Sequence, residues 1–344
     1  MSRRDSRPAS TLTWLPPPSA RCNQPGELLD GEGGYTVYGK LFPARKSLAI
    51  GGLPLGLLFR KLAEERTQGR VKVEVYPNST LYKDKEELEA LQLNAVQMLA
   101  PAPGKFGPMG VKEYEALELP YLFSDMASAQ KVTQGPIGKR LLKALEPRGV
   151  TGLAFWDNSL RVFTSNKLIH QPGDLKGEKI RIQSSKVFDA QLRNVGALPQ
   201  VMAFSEVYQA MQSGVVDGGD NALSNIFTQK FFEVQKYLTL TNHSYHGYVV
   251  VANKKFWDGL PPEIRAELEG AMKETTEQYA KLAKDEDEAA LAAIRKSAKV
   301  DVYQPTPDEM GRWRLEFTKV HKEMEARLGK DLIEAIYRET NVRP

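Results

Sequence analysis

Two arginines carry the clearest potential chemistry in this sequence. Arg181 alternates with Ile180 and Ile182 in KIRIQ, and Arg161 follows WDNSL at the start of an extended-looking stretch. A guanidinium presents a planar fork that grips a carboxylate through two parallel N–H···O bonds. An arginine in such an alternation either faces solvent or points into a cleft, and the pattern leaves both open. If two arginines converged on one site they would select an anion, each desolvated pair contributing on the order of 2–4 kcal/mol by truncation measurements.

A third feature is the glycine-rich run SGVVDGGDNALSN at 213–225. It lacks the Gly-Lys-Ser/Thr ending of a phosphate loop and the GxGxxG of a dinucleotide loop. Asp217 and Asp220 lack the carboxylate spacing of a calcium loop. Two readings remain. The glycines permit positive φ where a strand meets a turn, or they let backbone approach a ligand closely, with Asn221 supplying an amide that both donates and accepts.

Other constellations are weaker. His243 and His246 have the spacing of half a metal site, but the chain has only four histidines, so packing or hinge contacts are the expectation and no metal or cofactor is expected. No GxSxG occurs, and Cys22 is the sole cysteine, so neither a serine nor a cysteine triad finds support. An enzyme acting on a carboxylate would need a base near the arginines, for which Glu206, Asp217 and Asp220 are the candidates.

The elements that would position these residues alternate between strand and helix. VKVEVYP (71–77) reads as a strand stopped by Pro77-Asn78, and 84–99 carries Leu88, Leu91, Ala95 and Leu99 at helical spacing. The stretches 149–158, 160–167, 178–185 and 244–257 read as strands. In 205–214, Ser205 is the expected N-cap and Gly214 the residue past the helix end. Residues 261–299 form one very long amphipathic pattern suited to bracing two domains, and TPDE at 306–309 is a capping box. The result is an α/β protein in two lobes.

Composition is compatible with that. The 344 residues fit two domains, and 47 basic against 43 acidic residues leave a formal charge of +4. Charges are interspersed, without the basic stripe of a nucleic-acid binder. No apolar run approaches the roughly 18 residues of a membrane span. Residues 1–34 are rich in Arg, Pro, Ser and Gly and read as disordered. The apolar run 47–59 lacks a cleavage site and reads as the start of the folded domain rather than as a signal peptide.

The stretch from KIRIQSSKVF to VVVANKKFW resembles the solute-binding subunits of TRAP transporters, the DctP type. VKVEVYPNSTLYKDKEELEALQLNAVQMLAP, KEYEALELPYLF and FWDNSLRVFTSNK match the same family in the same order. The resemblance covers about 57–340. It implies a two-lobed periplasmic-binding-protein fold, type II-like, with hinge strands and a long bracing helix. The implied function is that of a periplasmic, non-enzymatic receptor, monomeric, that closes on a small carboxylate of C4-dicarboxylate type and delivers it to the membrane permease. A ligand-sensing module of a membrane receptor would use the same closing lobes and is the alternative.

The family pattern also assigns residues. Arg181 pairs with the ligand carboxylate, Arg161 assists it, and Asn221 reaches the same group. The Phe204 ring and Trp156 line the pocket, and Ser184 follows the arginine strand into it. From the other lobe the loop 100–105 faces the ligand, while the hinge runs near Trp156 to Ser159 and Ser244 to Gly247. Many relatives read LAPS where this chain reads LAPA, so Ala102 removes a hydroxyl donor at the ligand's far end. The implied lobes are 35–158 with 247–286, and 159–246 with 287–344. The region before the first helix does not match the family's first strand, so that strand is expected to be missing. An incorrect start site or a compensated frameshift would produce such a pattern, and peptide mapping of the native protein tests it.

Overall fold

A computed structural model describes residues 35–40, 55–76, 81–83 and 86–342; the expectations for 1–34 and for most of 47–59 fall outside them. The first part of the chain gives β1 (Tyr35–Lys40), α1 (Leu55–Arg66), β2 (Val71–Val75), α2 (Glu87–Gln92), β3 (Met98–Leu99), α3 (Met126–Thr133), α4 (Pro136–Lys143) and β4 (Val150–Leu160). The middle gives β5 (Val162–Ser165), β6 (Lys179–Ile182), α5 (Lys186–Asn194), β7 (Leu198–Val201), α6 (Val207–Gln212), β8 (Gly218–Asn221), α7 (Leu223–Thr228), β9 (Tyr237–Thr239) and β10 (Tyr245–Asn253). The last part gives α8 (Lys254–Asp258), α9 (Pro262–Ser297), β11 (Asp301–Tyr303), α10 (Pro307–Phe317), α11 (Lys319–Leu328) and α12 (Lys330–Thr340).

These strands build two sheets, one in each lobe. The first runs β2-β1-β3-β10-β4 and the second β11-β9-β5-β8-β6-β7. The first strand expected to be missing is present: β1 runs parallel between β2 and β3, with Val37 opposite Val73 and Gly39 opposite Met98. Its pattern escaped recognition because pairing depends on backbone and alternation more than on a family's particular residues. Val71 and Val73 bury one face of β2, and every residue of β10 is buried, as expected of a strand inside a sheet covered on both faces.

The chain passes from the first sheet to the second at a single residue, Arg161, between β4 and β5. It returns through 240–244, and the two crossings are tied together. Arg161 N–H donates to Ser244 O at 2.7 Å, and His243 N–H donates to Arg161 O at 3.1 Å. Beside this crossing the β4–β10 register slips, His246 pairing with Ser159 and Gly247 with Asp157. Asn158 is therefore an extra residue, a bulge that bends the strand where the lobes join.

Helix α9 is the third connection. Its 36 residues span roughly 54 Å at 1.5 Å per residue. Leu268, Met272 and Tyr279 pack into the core over the first sheet, and Ala290 and Ile294 into the core of the second. The brace read from the sequence is thus built by one apolar stripe serving two cores. Helices α11 and α12 send Val320, Leu328, Ile333 and Ile336 into the core of the first sheet with Tyr114, Phe155 and Val249.

Several local expectations need correction. Helix α2 covers only Glu87–Gln92, because Asn94 turns left-handed at φ 58° and the chain enters β3. Ser205 does not cap α6; a 3-10 turn at Phe204–Glu206 precedes that helix, whose N-cap is Glu206. Gly214 does sit past the helix end with φ 72°. The Thr306–Glu309 capping box forms as read.

Candidate functional site

The lobes meet around a pocket of about 310 Å³. The first lobe contributes Ala102 and Lys105, from the loop after β3, while the crossing strand β10 contributes His246 and Tyr248. The second lobe contributes Arg181 and Gln183 from β6 and the residue after it, Phe204, Asn221 at the end of β8, and Asn225 on α7. No Asp or Glu is among these lining residues.

Arg181 is held from behind. Its Nε and Nη2 donate to Met202 O at 3.2 and 2.8 Å, and its guanidinium carbon lies 5.7 Å from the Phe204 ring centre. Such anchoring leaves the fork little freedom to lose on binding. Asn221 uses its Oδ1 as acceptor for Ala222 N–H and the Asn225 amide nitrogen, both at 2.9 Å. The Asn221 Nδ2 is then the group it can offer an anion. Lys105, 7% exposed, makes a buried ion pair with Glu87 at 3.1 Å.

Arg161 lies outside the pocket lining. It is fully buried, its Nε and Nη2 donating to the two Asp220 oxygens at 2.6 and 2.9 Å, with its carbon 4.8 Å from the Phe188 ring centre. Burial alone would raise the Asp220 carboxyl, but the charge and hydrogen bonds of Arg161, helped by His243, hold it well below the carboxylate range. Arg161 Nη1 also lies 2.9 Å from His246 Nδ1. A guanidinium can only donate, so Nδ1 accepts; on the other side of the ring the Asn225 amide nitrogen lies 2.9 Å from Nε2. Burial, reinforced by Arg161, pushes the His246 pKa well below its ordinary value. Both histidines thus make packing and hinge contacts as read: His243 stacks on Phe163 at 4.3 Å, while His246 also reaches the pocket.

The remaining sequence expectations sort as follows. Ala102, Arg181, Phe204 and Asn221 line the pocket. Ser184 is half-buried beside the lining residue Gln183. Trp156 is buried in the first lobe's core, its Nε1 donating to Thr276 Oγ1 at 3.0 Å. The three carboxylates considered as bases are engaged elsewhere: Asp220 with Arg161, Asp217 accepting from Lys179 N–H, and Glu206 with Lys83. Among the described residues no cluster of three His, Cys, Asp or Glu side chains could hold a metal.

Three lining residues were missed by sequence reasoning, and a signal existed for each. Gln183 shares a strand face with Arg181, Tyr248 shares one with His246, and Asn225 follows Asn221 at four residues' spacing. Of the run's three glycines, Gly214 has the positive φ of the first reading, while the other two have a different role. Neither Gly218 nor Gly219 has positive φ. A Cβ on Gly218 would stand 2.3 Å from Thr164 O, and one on Gly219 would stand 3.0 Å from the Met211 methyl. They allow β8 to nestle between its neighbours so that Asn221 arrives beside Arg181.

The family described as bacterial extracellular solute-binding protein, family 7, matches residues 52–328. The C4-dicarboxylate-binding periplasmic protein DctP of Rhodobacter capsulatus is 54% identical over 278 residues, covering 81% of this chain and 84% of that one. A TRAP periplasmic solute-binding protein of Shewanella oneidensis with bound succinate superposes with a TM-score of 0.85 at 34% identity, covering 90% of this chain and all of the other. A Pseudomonas aeruginosa counterpart with bound L-malate has a TM-score of 0.80 at 35% identity, over 84% of this chain and 99% of that one.

Proposed function

We propose how a ligand is gripped by this chain, which belongs to the bacterial extracellular solute-binding proteins of family 7. It is a TRAP-type solute-binding protein for a small organic acid of the C4-dicarboxylate kind. In our reading Arg181 binds one carboxylate through its fork and Asn221 Nδ2 supplies a further donor. Lys105, on the opposite lobe, faces the second carboxylate and takes the role that a hydroxyl at position 102 would otherwise share. Phe204 closes the pocket over Arg181. Arg161 supports this shell from behind by fixing Asp220, His246 and the end of β8. The observation that carries the reading is one cation from each lobe in a pocket whose lining has no carboxylate.

Closure follows from the same arrangement. A dicarboxylate touching both lobes interacts with more groups in the closed form than in the open one, and so shifts the equilibrium toward closure. The lobes divide at the Arg161 crossing, with 35–160 in the first and 161–244 in the second, and the hinge bends at the Asn158 bulge. The closed form is the one delivered to a membrane permease, outside the cytoplasm, by a monomer. A thermal-shift screen tests the ligand class: succinate, malate and fumarate should raise the melting temperature, and butyrate, with one carboxylate, should raise it far less. If none of the dicarboxylates moves it, the class is wrong.

A further inference from the structure

Behind the pocket wall, the Glu118 carboxylate joins the two lobes. Its Oε1 accepts from Gly104 N–H at 2.8 Å, in the loop that presents Lys105, and from Gln183 Nε2 at 2.6 Å, on the far wall beside Arg181. The side chain is 1% exposed, and its second oxygen, Oε2, is buried with no hydrogen-bond partner among the described residues. Gly104 is part of this arrangement, since a Cβ there would stand 2.4 Å from Oε2. An ionised carboxylate with one bare oxygen is costly to bury. A neutral carboxyl costs less: it keeps Oε1 as the double acceptor and hides an O–H in place of a charge.

We infer that Glu118 is a positioning residue for lobe closure and takes up a proton when the ligand binds. The Gln183 bond crosses from one lobe to the other, so in this inference closure completes both the contact and the burial of Oε2. This rests on the dicarboxylate reading above only for the choice of probe. The charged and polar groups facing Glu118 are Glu115 on its own segment, salt-bridged to Arg327 of α11 at 2.7 Å, Arg161 at the crossing, Ser185 at the start of α5, and Lys105 beside Gly104. Burial, the largest influence, and Glu115 favour the neutral form. Ser185, the Gly104 amide and Arg161 favour the ionised form. The balance pushes the carboxyl up to about 7.

The sign of the linkage is fixed by that direction. The closed form holds the proton more tightly than the open one, so ligand affinity is greatest at low pH and falls as pH rises through about 7. Between pH 8 and pH 6 the dissociation constant should tighten by up to about tenfold. Fumarate is the probe, because both its carboxyls stay ionised across that range. Calorimetry at pH 7 in two buffers of different ionisation enthalpy should show net proton uptake on fumarate binding. In Glu118→Gln, which mimics the neutral carboxyl, the ratio of dissociation constants at pH 8 and pH 6 should fall to about one and the proton uptake should vanish. A flat profile and no proton uptake in the unaltered protein overturn the inference.

A ligand-free readout keeps the inference testable if fumarate does not bind. With Cys22→Ser, dyes placed through Leu93→Cys and Val215→Cys, exposed at 75% and 56% on the two lobes, report the interlobe distance by energy transfer. Lowering the pH from 8 to 6 should shorten that distance with Glu118 present and leave it unchanged in Glu118→Gln. An identical response in both overturns the inference. Fumarate failing to bind while the pH-driven closure persists counts against the dicarboxylate reading alone.

Discussion

Arg161 and Asp220, 59 residues apart in sequence, form a bidentate ion pair inside the second sheet, with Nε–Oδ2 at 2.6 Å and Nη2–Oδ1 at 2.9 Å. Both side chains are buried, Arg161 at 0% exposure. The pair occupies the one residue joining β4 to β5 and the strand that ends in Asn221. The end of β8 and the crossing between the two sheets are therefore held by the same contact.

Removing one member of that pair should be severe. Arg161→Met leaves the Asp220 carboxylate buried without its main partner, at a cost of about 3–5 kcal/mol. Urea denaturation should show this loss, and Asp220→Leu added to Arg161→Met should recover much of it, because a buried pair is often replaceable by apolar side chains. Fumarate binding should remain impaired in the double variant, since His246 and Asn221 lose their anchor. Full recovery of affinity would mean that the pair is structural only.

Arg181 should behave differently. Arg181→Ala is expected to weaken dicarboxylate binding by at least a hundredfold, on the order of 3 kcal/mol or more. Arg181→Lys should recover only part of that, because an ammonium cannot reproduce the two parallel bonds of the fork. Calorimetry measures both, with circular dichroism checking the fold. Equal affinities for the lysine and arginine forms would remove the bidentate geometry from the mechanism.

What could be read from the sequence was local. The alternation in β2 and β6, the long stripe of α9 and the Thr306–Glu309 box are set by residues within a turn or two of one another, so pattern alone finds them. The pocket is built from contacts between distant segments. Arg181 and Asn221 stood out by type and setting, and their meeting on one carboxylate came through family resemblance, whereas Gln183 meeting Glu118 across 65 residues leaves no periodic trace. Arg161 shows the limit most clearly: its type suggested an anion partner, and the anion turned out to be Asp220, supplied by the protein itself.

Lys105 decides how strongly the second carboxylate counts. Because Lys105→Met alone would strand Glu87, the informative variant is Lys105→Met with Glu87→Gln. It should weaken succinate at least tenfold while changing butyrate little, so that the preference for two carboxylates collapses. An unchanged succinate-to-butyrate ratio would assign the far carboxylate to another group on the pocket wall.

Asp287 on α9 gives a pH dependence of the fold itself. Its Oδ1 accepts from Ser224 N–H at 3.0 Å, tying the brace helix to α7, whose Asn225 lines the pocket. Burial pushes its carboxyl up to about 6, against smaller opposing contributions from Ser159 and Ser224. The folded form therefore binds its proton more tightly than the unfolded form, and this group's stabilisation is complete at low pH and lost as pH rises through about 6. The full swing is on the order of 3 kcal/mol. Asp287→Asn keeps the acceptor for Ser224 without the charge, so it should raise the urea midpoint at pH 8 and change it little at pH 4. A gain of the same size at both pH values would rule out the charge as its origin.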